Sequence, residues 1–350
     1  MKRIGLFLLT FLMALGAVGC SPKENNSSSE SSKASSQASS SASGTAAGGV
    51  KFGMTVQADI ASSKEATADR DGTAQVDAVL AAVVLDAEGK ILQCRIDEVQ
   101  NKMSFSAAGA LKTSKETAFA TKREAGDNYG MKAASSIGKE WFEQINALEA
   151  YLKGKTADQI AEVPTDEDGY ATDDLKASCT ISLSKILPTV EKACRDAQDS
   201  AASAEDELKI SAVSKMAEQS KDAENGTEGI CRADSAFCAL LTKNGKITDC
   251  RVDELQATVK ITDKGMISSD TEEAVQTKKQ LGDAYGMKGA SSIGKEWYSQ
   301  AQALEAFVAR TGAAPQTDAD GYAADADLKA GCTIGVAGMK EGIEKTLGEY

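Results

Sequence analysis

Residues 127–141 read DNYGMKAASSIGKEW, and residues 283–297 read DAYGMKGASSIGKEW. The two stretches agree at thirteen of fifteen positions and lie 156 residues apart. Such a repeat indicates one structural unit used twice. We therefore place a first repeat at residues 50–196 and a second at residues 225–350. Residues 197–224 are charged and rich in Ala and Ser, which predicts either a linker helix or a degenerate first element of the second repeat.

Each repeat begins with patterns that are typical of β-strands. Apolar runs at residues 76–85 and 236–241 each meet a turn, AEGK at 87–90 and KNGK at 243–246. Asn-Gly favours a hairpin because both residues tolerate positive φ. Polar and apolar residues then alternate over residues 92–97 and 248–252, which predicts a half-buried strand.

The period changes to that of helices in the second half of each repeat. Trp141, Ile145, Leu148 and Leu152 are spaced to form one apolar stripe. Residues 297–308 repeat this stripe, and a second stripe occurs at 183–194 and 336–347. Strands followed by helices predict an α+β fold, in which each repeat is a small antiparallel sheet with helices packed on it.

The N-terminal segment is typical of export. Lys2 and Arg3 precede an apolar stretch that ends in AVGC at residues 17–20. This ending resembles a bacterial lipobox and implies a signal peptide at residues 1–19 and a lipid on Cys20; an ordinary signal peptide is the alternative. Residues 20–49 are Ser-rich and predict a flexible tether. The predicted location is the extracytoplasmic face of the membrane, with the protein lipid-anchored.

Composition excludes several classes of function. Removing Lys2 and Arg3 from the 39 basic residues leaves 37 against 52 acidic residues, a net charge of −15. This charge argues against nucleic-acid binding. The chain has no histidine, which excludes Ser-His-Asp and Cys-His nucleophilic sites and histidine-bound zinc. No metal site is predicted.

The best candidate for a functional site is DLKASCTI at residues 174–181, matched by DLKAGCTI at residues 327–334. This phrase resembles the signature Asp-x-x-Ser-Gly-Ala-Thr of the FMN-binding domain family. That family includes the C subunit of the sodium-pumping NADH:quinone oxidoreductase and flavinylated surface lipoproteins of Firmicutes. Residues 86–97 and 242–253 resemble a second conserved segment of the family.

The resemblance implies that Thr180 and Thr333 accept FMN through phosphoester bonds made by a flavin transferase. The other cofactor-binding residues that it implies are Asp174, Asp327, Cys179, Cys332, Ser178 and Gly331. Independently of the family, Lys176 and Lys329 are predicted to add a cation, because they lie close to the threonines in the sequence. The phrase departs from the signature where Cys179 and Cys332 replace alanine. Apart from the family, the N-terminus of the helix that follows would suit a phosphate. Local capping by the threonine is the simpler alternative.

The repeated GMK…KEW phrase has two interpretations. Its serines, Ser135 and Ser136 with Ser291 and Ser292, are placed to cap the helices that begin at the tryptophans. The tryptophans, with Tyr129 and Tyr285, either stack on a flavin ring or belong to the core, and the core is the simpler interpretation.

The cysteines allow two arrangements. Cys94 and Cys250 occupy matching positions, as do Cys179 and Cys332. This doubling predicts the disulfides Cys94–Cys179 and Cys250–Cys332, which an extracellular compartment would permit. Buried free thiols are the alternative.

The resemblance implies an electron carrier, and we expect a carrier rather than an enzyme. It would pass electrons from a membrane quinol or NADH oxidase module to an outside acceptor. The alternative is a cofactor-free surface module for binding or adhesion.

Overall fold

The computed structural model describes residues 49–348. The predicted signal peptide, Cys20 and nearly all of the predicted tether lie outside the described residues. No helix within residues 49–348 is both long and apolar enough to cross a membrane.

The described chain alternates groups of strands with groups of helices. The first group of elements is β1 Val50–Asp59, β2 Gly72–Leu85, β3 Ile91–Phe105, β4 Ala118–Phe119, α1 Lys122–Ala125, α2 Trp141–Leu152, α3 Ala157–Ala161 and α4 Ile186–Arg195. The second group is β5 Gln198–Ser200, β6 Glu207–Met216, β7 Gly229–Lys243, β8 Lys246–Ile261, α5 Lys278–Leu281, α6 Trp297–Thr311, α7 Ala326–Lys329 and α8 Ala337–Leu347. Short 3₁₀ turns lie at Gly126–Tyr129, Asp174–Ala177, Gly282–Tyr285 and Met287–Gly289.

The strands form two antiparallel sheets of four strands each. Their orders are β3-β2-β1-β5 and β4-β6-β7-β8. The predicted α+β class is confirmed. The β7–β8 hairpin turns at Asn244 and Gly245, with φ of 52° and 75°. Both residues adopt the left-handed backbone conformation, as the Asn-Gly pair predicts.

One apolar core lies between the two sheets. It contains Phe52 and Phe105 of the first sheet and Phe237 and Ile261 of the second. The opposite face of each sheet packs against helices in a separate core, and each of these cores contains one of the buried tryptophans. The layers are therefore helices, sheet, sheet and helices.

Short segments cross between the two sheets. β4, which precedes α1, pairs with β6 of the second sheet. In the matching contact, Val275 pairs with Ala58 of β1. The described residues, 49–348, consequently belong to one compact unit.

Residues 197–224 contain strands rather than a helix. They hold β5, which pairs with β1, and β6, which pairs with β7. Apart from β4, the strands of the second sheet therefore begin at residue 207, before the predicted start of the second repeat at residue 225. We call residues 50–196 the first copy and residues 225–350 the second copy below.

Candidate functional site

Each copy contains a cavity beside its buried tryptophan. The first has a volume of about 580 Å³, and the second about 410 Å³. The first is lined by Lys122, Ser135, Trp141, Gln144, Tyr170 and Thr180, among others. The second is lined by Lys278, Ser291, Trp297, Tyr322 and Thr333, among others. Both phrases that stand out in the sequence thus line one cavity in each copy.

A buried glutamine holds the candidate threonine of the first copy. The backbone N–H and the hydroxyl of Thr180 both donate to Oε1 of Gln144, at 2.8 and 3.1 Å. The amide nitrogen of Gln144 donates to the Ser135 hydroxyl at 3.2 Å and to the Lys139 carbonyl at 3.1 Å. Gln144 is fully buried. The threonine is therefore oriented by α2 and by the phrase that precedes this helix.

The same hydrogen bonds occur in the second copy. Thr333 donates to Gln300 through its N–H at 2.8 Å and through its hydroxyl at 3.0 Å. Gln300 donates to Ser291 at 3.1 Å and to the Lys295 carbonyl at 3.0 Å. The recurrence gives the repeated phrase a specific task, because it supplies the serine and the carbonyl that fix the glutamine.

The serines do not cap the helices, which contradicts that prediction. The residue that precedes α2 is Glu140, and its backbone N–H donates to the Glu143 carboxylate at 2.8 Å. The Glu140 carboxylate accepts hydrogen bonds from the backbone of Met131 and Lys132, at 2.8 and 3.0 Å. Glu140 thus ties the loop of the repeated phrase to the start of α2. Glu296 does the same in the second copy.

A buried lysine that the sequence motifs did not indicate lines each cavity. Nζ of Lys122 lies 2.7 Å from the Glu98 carboxylate and 5.3 Å from the centre of the Trp141 ring. Lys278 has the same environment, 2.6 Å from Glu254 and 5.2 Å from the Trp297 ring. The pair Thr-Lys at 121–122 recurs at 277–278. Comparing the two copies at these positions could have found the lysine.

The charge of Lys278 is maintained by its carboxylate partner. Burial lowers the pKa of Lys278, but the adjacent Glu254 outweighs it and leaves the pKa above its ordinary value. Burial raises the pKa of Glu98 and of Glu254, against the opposing effect of the lysines. Each cavity therefore has an ammonium group on its wall, and its aromatic neighbours stabilise that charge further.

Both tryptophans are core residues that also form cavity walls. Each is only 1% exposed. Two other aromatic side chains face solvent at the cavities, since Tyr170 is 42% and Tyr322 is 48% exposed. An apolar wall and an exposed ring in each cavity suit a planar ligand.

Most of the other residues predicted for cofactor binding do not line the cavities. Asp174, Lys176, Asp327 and Lys329 are exposed, because Leu175 and Leu328 are the residues of these turns that face the core. Ser178 and Gly331 are half-buried beside these turns and line neither cavity. Cys179 and Cys332 are buried in the helix-side cores. Of the ten predicted residues, the structure brings only Thr180 and Thr333 to a cavity.

The threonines also lie farther from a helix start than the sequence suggested. α4 begins at Ile186 and α8 at Ala337. The start of α4 still borders the first cavity, through Lys185 and Ile186.

The predicted disulfides are absent from the described residues. All seven cysteines there are free and buried. Burial raises the pKa of Cys94, and the nearby Glu149 and Cys194 raise it further. Burial also raises the pKa of Cys250, and its thiol neighbour is Cys238. The thiol close to Cys94 is therefore Cys194 and the thiol close to Cys250 is Cys238. The doubled positions had predicted Cys179 and Cys332 instead.

Two buried aspartates directly precede Glu98 and Glu254, the partners of the lysines, and they should make stability depend on pH. Burial raises the pKa of Asp97 and of Asp253 from 3.8 to about 6. Between pH 4 and 6 the folded state holds protons that the unfolded state has lost, so stability should fall as pH rises through this range. The loss is up to about 3 kcal/mol for each group.

Urea unfolding at pH 4.5 and pH 7 measures this loss of stability, and D97N/D253N should flatten the dependence on pH. A wild-type protein that gains stability over this range would contradict the assignment.

Comparisons with known proteins give one relative and no family. No family model matches the chain, and no solved structure matches it. The chain is 34% identical over 113 residues to a protein of Desulfitobacterium hafniense named chlorophenol reductase. The match covers 29% of this chain and 35% of the relative, so the chain spans about a third of the relative's length.

The printed name of this relative describes a redox function. It also corrects one expectation, since the relative is named as a reductase, which is an enzyme. The expectation of a carrier that is not an enzyme is therefore wrong.

Proposed function

We propose that this protein is a redox enzyme of the reductase type, with FMN joined to Thr180 and Thr333 by phosphoester bonds. The observation that carries the proposal is the twin cavity with a threonine hydroxyl held on its wall by a buried glutamine. The name of the relative supports a redox function in general terms.

The residues of the cavities fit a flavin. Their volumes, about 580 and 410 Å³, lie in the range of sites for small molecules and cofactors, about 300–1,000 Å³. Thr180 would hold the phosphate, while Ser135 and Ser136 offer further hydroxyls on the same wall. Tyr170 offers aromatic surface to the ring, while Trp141, which is 1% exposed, only backs the cavity wall. FMN supplies the redox chemistry when bound, and the protein supplies position and charge.

The buried lysine has a defined electrostatic role in this proposal. Lys122 in the first cavity and Lys278 in the second each place a positive charge in a poorly hydrated site. A fixed ammonium group stabilises negative charge that develops on a neighbouring ligand. Its partner carboxylate keeps the lysine in one position.

The proposal includes partners that supply the flavin and the electrons. A flavin transferase would attach FMN to the two threonines. A lipid on Cys20 would hold the enzyme at the extracytoplasmic face of the membrane, beside a quinol or NADH oxidase module that supplies electrons. The relative's name suggests an organic molecule as the final acceptor.

Flavin content of single variants tests the proposal. Protein made together with a flavin transferase should contain two FMN per chain, by absorbance after denaturation. T180A and T333A should each contain one, and the double variant none. Thr172 is exposed and lines neither cavity, so T172A is the matched control and should contain two. Colourless wild-type protein would contradict the proposal.

A further inference from the structure

Each cavity lysine lies at the start of a helix of only four residues. Lys122 is the first residue of α1, and Lys278 is the first residue of α5. A helix this short has no stability of its own, because one turn leaves most of its backbone groups without partners inside the helix. The position of each lysine therefore depends on the contacts that hold its helix in place.

The third residue of each short helix closes a capping box. Oε2 of Glu124 in α1 accepts a hydrogen bond from the backbone N–H of Thr121 at 2.9 Å. Oε1 of Gln280 in α5 accepts the same bond from Thr277, also at 2.9 Å. Glu124 and Gln280 are equivalent, since they lie 156 residues apart, as the two repeated phrases do. In each helix, one polar atom of this side chain remains for a contact outside the box.

The remaining atom of Gln280 binds to the other copy. Its Nε2 donates to the backbone carbonyl of Val56 in β1 at 2.6 Å. β1 belongs to the first copy, whereas α5 and Lys278 belong to the second. An amide can make both contacts alone, because it supplies an acceptor for the capping box and a donor for the carbonyl.

In the first copy, an ammonium group completes the equivalent connection. Oε1 of Glu124 forms an ion pair with Nζ of Lys345 in α8 of the second copy. The same Nζ donates to the backbone carbonyl of Ala212 in β6 at 2.7 Å. Ala212 lies 156 residues after Val56 and is its equivalent. A carboxylate cannot donate to a carbonyl, so Lys345 supplies the donor that Gln280 has in its own side chain.

The Glu124–Lys345 pair is largely shielded from water. The Glu124 side chain is 15% exposed and the Lys345 side chain 30%. Without the ammonium group, the shielded carboxylate would lack its partner and turn toward solvent, which opens the capping box at the start of α1. Arg123 still holds α1 to its own copy, because its backbone N–H donates to Asp97 at 3.2 Å. The expected change is therefore local to the start of α1, where Lys122 lies.

We propose that Lys345 is a positioning residue for the first cavity and Gln280 a positioning residue for the second. Lys345 acts through Glu124 to keep Lys122 on the cavity wall, and Gln280 keeps Lys278 in place through its bond to β1. Each cavity thus depends on a contact with the other copy. This placement of the lysines is independent of the ligand, whereas its effect on a bound flavin rests on the proposed function.

The reactivity of the two cavity lysines toward acetic anhydride tests the proposal in the full-length, flavin-free protein. Mass spectrometry of the peptides with Lys122 and Lys278 gives both acetylation rates from one sample. K345M should make Lys122 react at least about tenfold faster and leave Lys278 within about twofold of wild type, because only α1 loses its contact with the other copy. Q280A should give the opposite pattern.

Two further variants distinguish positioning from the loss of a charge. E124Q/K345M gives the first copy the amide that the second copy already uses, so Lys122 should return to within about threefold of its wild-type rate. Lys340 lies on the same helix as Lys345 and pairs with Glu344 at 2.8 Å. K340M is the matched control and should leave both acetylation rates unchanged.

Three outcomes of the acetylation would overturn the proposal. They are a wild-type rate at Lys122 in K345M, an equal rise at both lysines in K345M, and no recovery in E124Q/K345M. If K345M does not fold, Q280A decides, and an unchanged rate at Lys278 in that variant overturns the proposal.

A second experiment separates this proposal from the proposed function. In T333A, FMN is attached only at Thr180, and K345M should shift the reduction potential of this flavin downward, because a displaced ammonium group stabilises less of the negative charge that reduction adds. In T180A, where FMN is attached only at Thr333, K345M should leave the potential unchanged. An unchanged potential in T333A/K345M with FMN present overturns the positioning role. Absence of FMN from both threonines contradicts the proposed function, and the acetylation rates still decide whether Lys345 and Gln280 position the lysines.

Discussion

Protein with Gln144→Leu should lose about tenfold or more of the FMN on Thr180 and keep its FMN on Thr333. Gln144 is the acceptor for both the N–H and the hydroxyl of Thr180. Leucine fills the same space without accepting either hydrogen bond, so the hydroxyl loses its fixed direction. Mass spectrometry of the two threonine peptides from the same sample measures the ratio, and Thr333 serves as the internal control.

The same substitution should also lower stability. It leaves the Ser135 hydroxyl and the Lys139 carbonyl without the amide that now donates to them. We expect a loss of about 2–4 kcal/mol, since each buried polar group without a partner costs about 1–3 kcal/mol. Q144E keeps an acceptor for Thr180 and should retain more FMN than Q144L. Equal loading of Thr180 and Thr333 in Q144L would contradict a positioning role for this glutamine.

Removing the buried lysine should have the second large effect. K122M leaves the Glu98 carboxylate buried without its partner, which should destabilise the protein by about 3–5 kcal/mol at pH 7. Burial already raises the pKa of Glu98, and loss of the lysine raises it further. The carboxylate takes up a proton as pH falls, so the defect should shrink between pH 7 and pH 5.

Urea unfolding at both pH values measures this effect. K122M/E98Q removes both charges and should recover most of the stability. Lys112 and Asp71 form an ion pair whose side chains are 51% and 43% exposed. K112M is therefore the matched control, with an expected change of at most about 1 kcal/mol. A pH-independent defect in K122M would contradict the buried ion pair.

The four long helices, α2, α4, α6 and α8, could be predicted from periodicity, but two long strands could not. α2 and α6 begin at Trp141 and Trp297, and their apolar stripes are buried as predicted. β1 was missed because its interior contains Gly53, which normally weakens a strand. The structure supplies the reason for this glycine, since a Cβ there would lie 2.1 Å from the carbonyl oxygen of Ala193 in α4.

β6 was hidden by polar residues at buried positions. Ser211 donates to the Gly342 carbonyl of α8 at 2.9 Å. Ser214 donates to Asn101 of β3 at 2.8 Å. These partners lie more than a hundred residues away in the chain. The local pattern therefore allowed either a linker helix or a degenerate first element of the second repeat, and only the assembled sheets show why the serines are there.

The site could be predicted where it depends on a local phrase. Thr180 and Thr333 were found because the phrase DLKASCTI of the first copy recurs as DLKAGCTI in the second. Lys122 and Gln144 were missed because they belong to α1 and α2, which only the fold brings beside Thr180. Lys176 was predicted to supply the cation by its closeness in sequence, yet its turn directs it to solvent. Closeness along the chain was a poor guide to the composition of the cavity.

The most direct test of the central claim is the mass of two peptides. The full-length protein, made together with a flavin transferase, is denatured, digested and analysed by mass spectrometry. Our account predicts that the peptides with Thr180 and Thr333 each carry one FMN, and that fragmentation places it on those two residues. Unmodified threonines in both peptides, from protein whose transferase modifies a known substrate in the same cells, would contradict it.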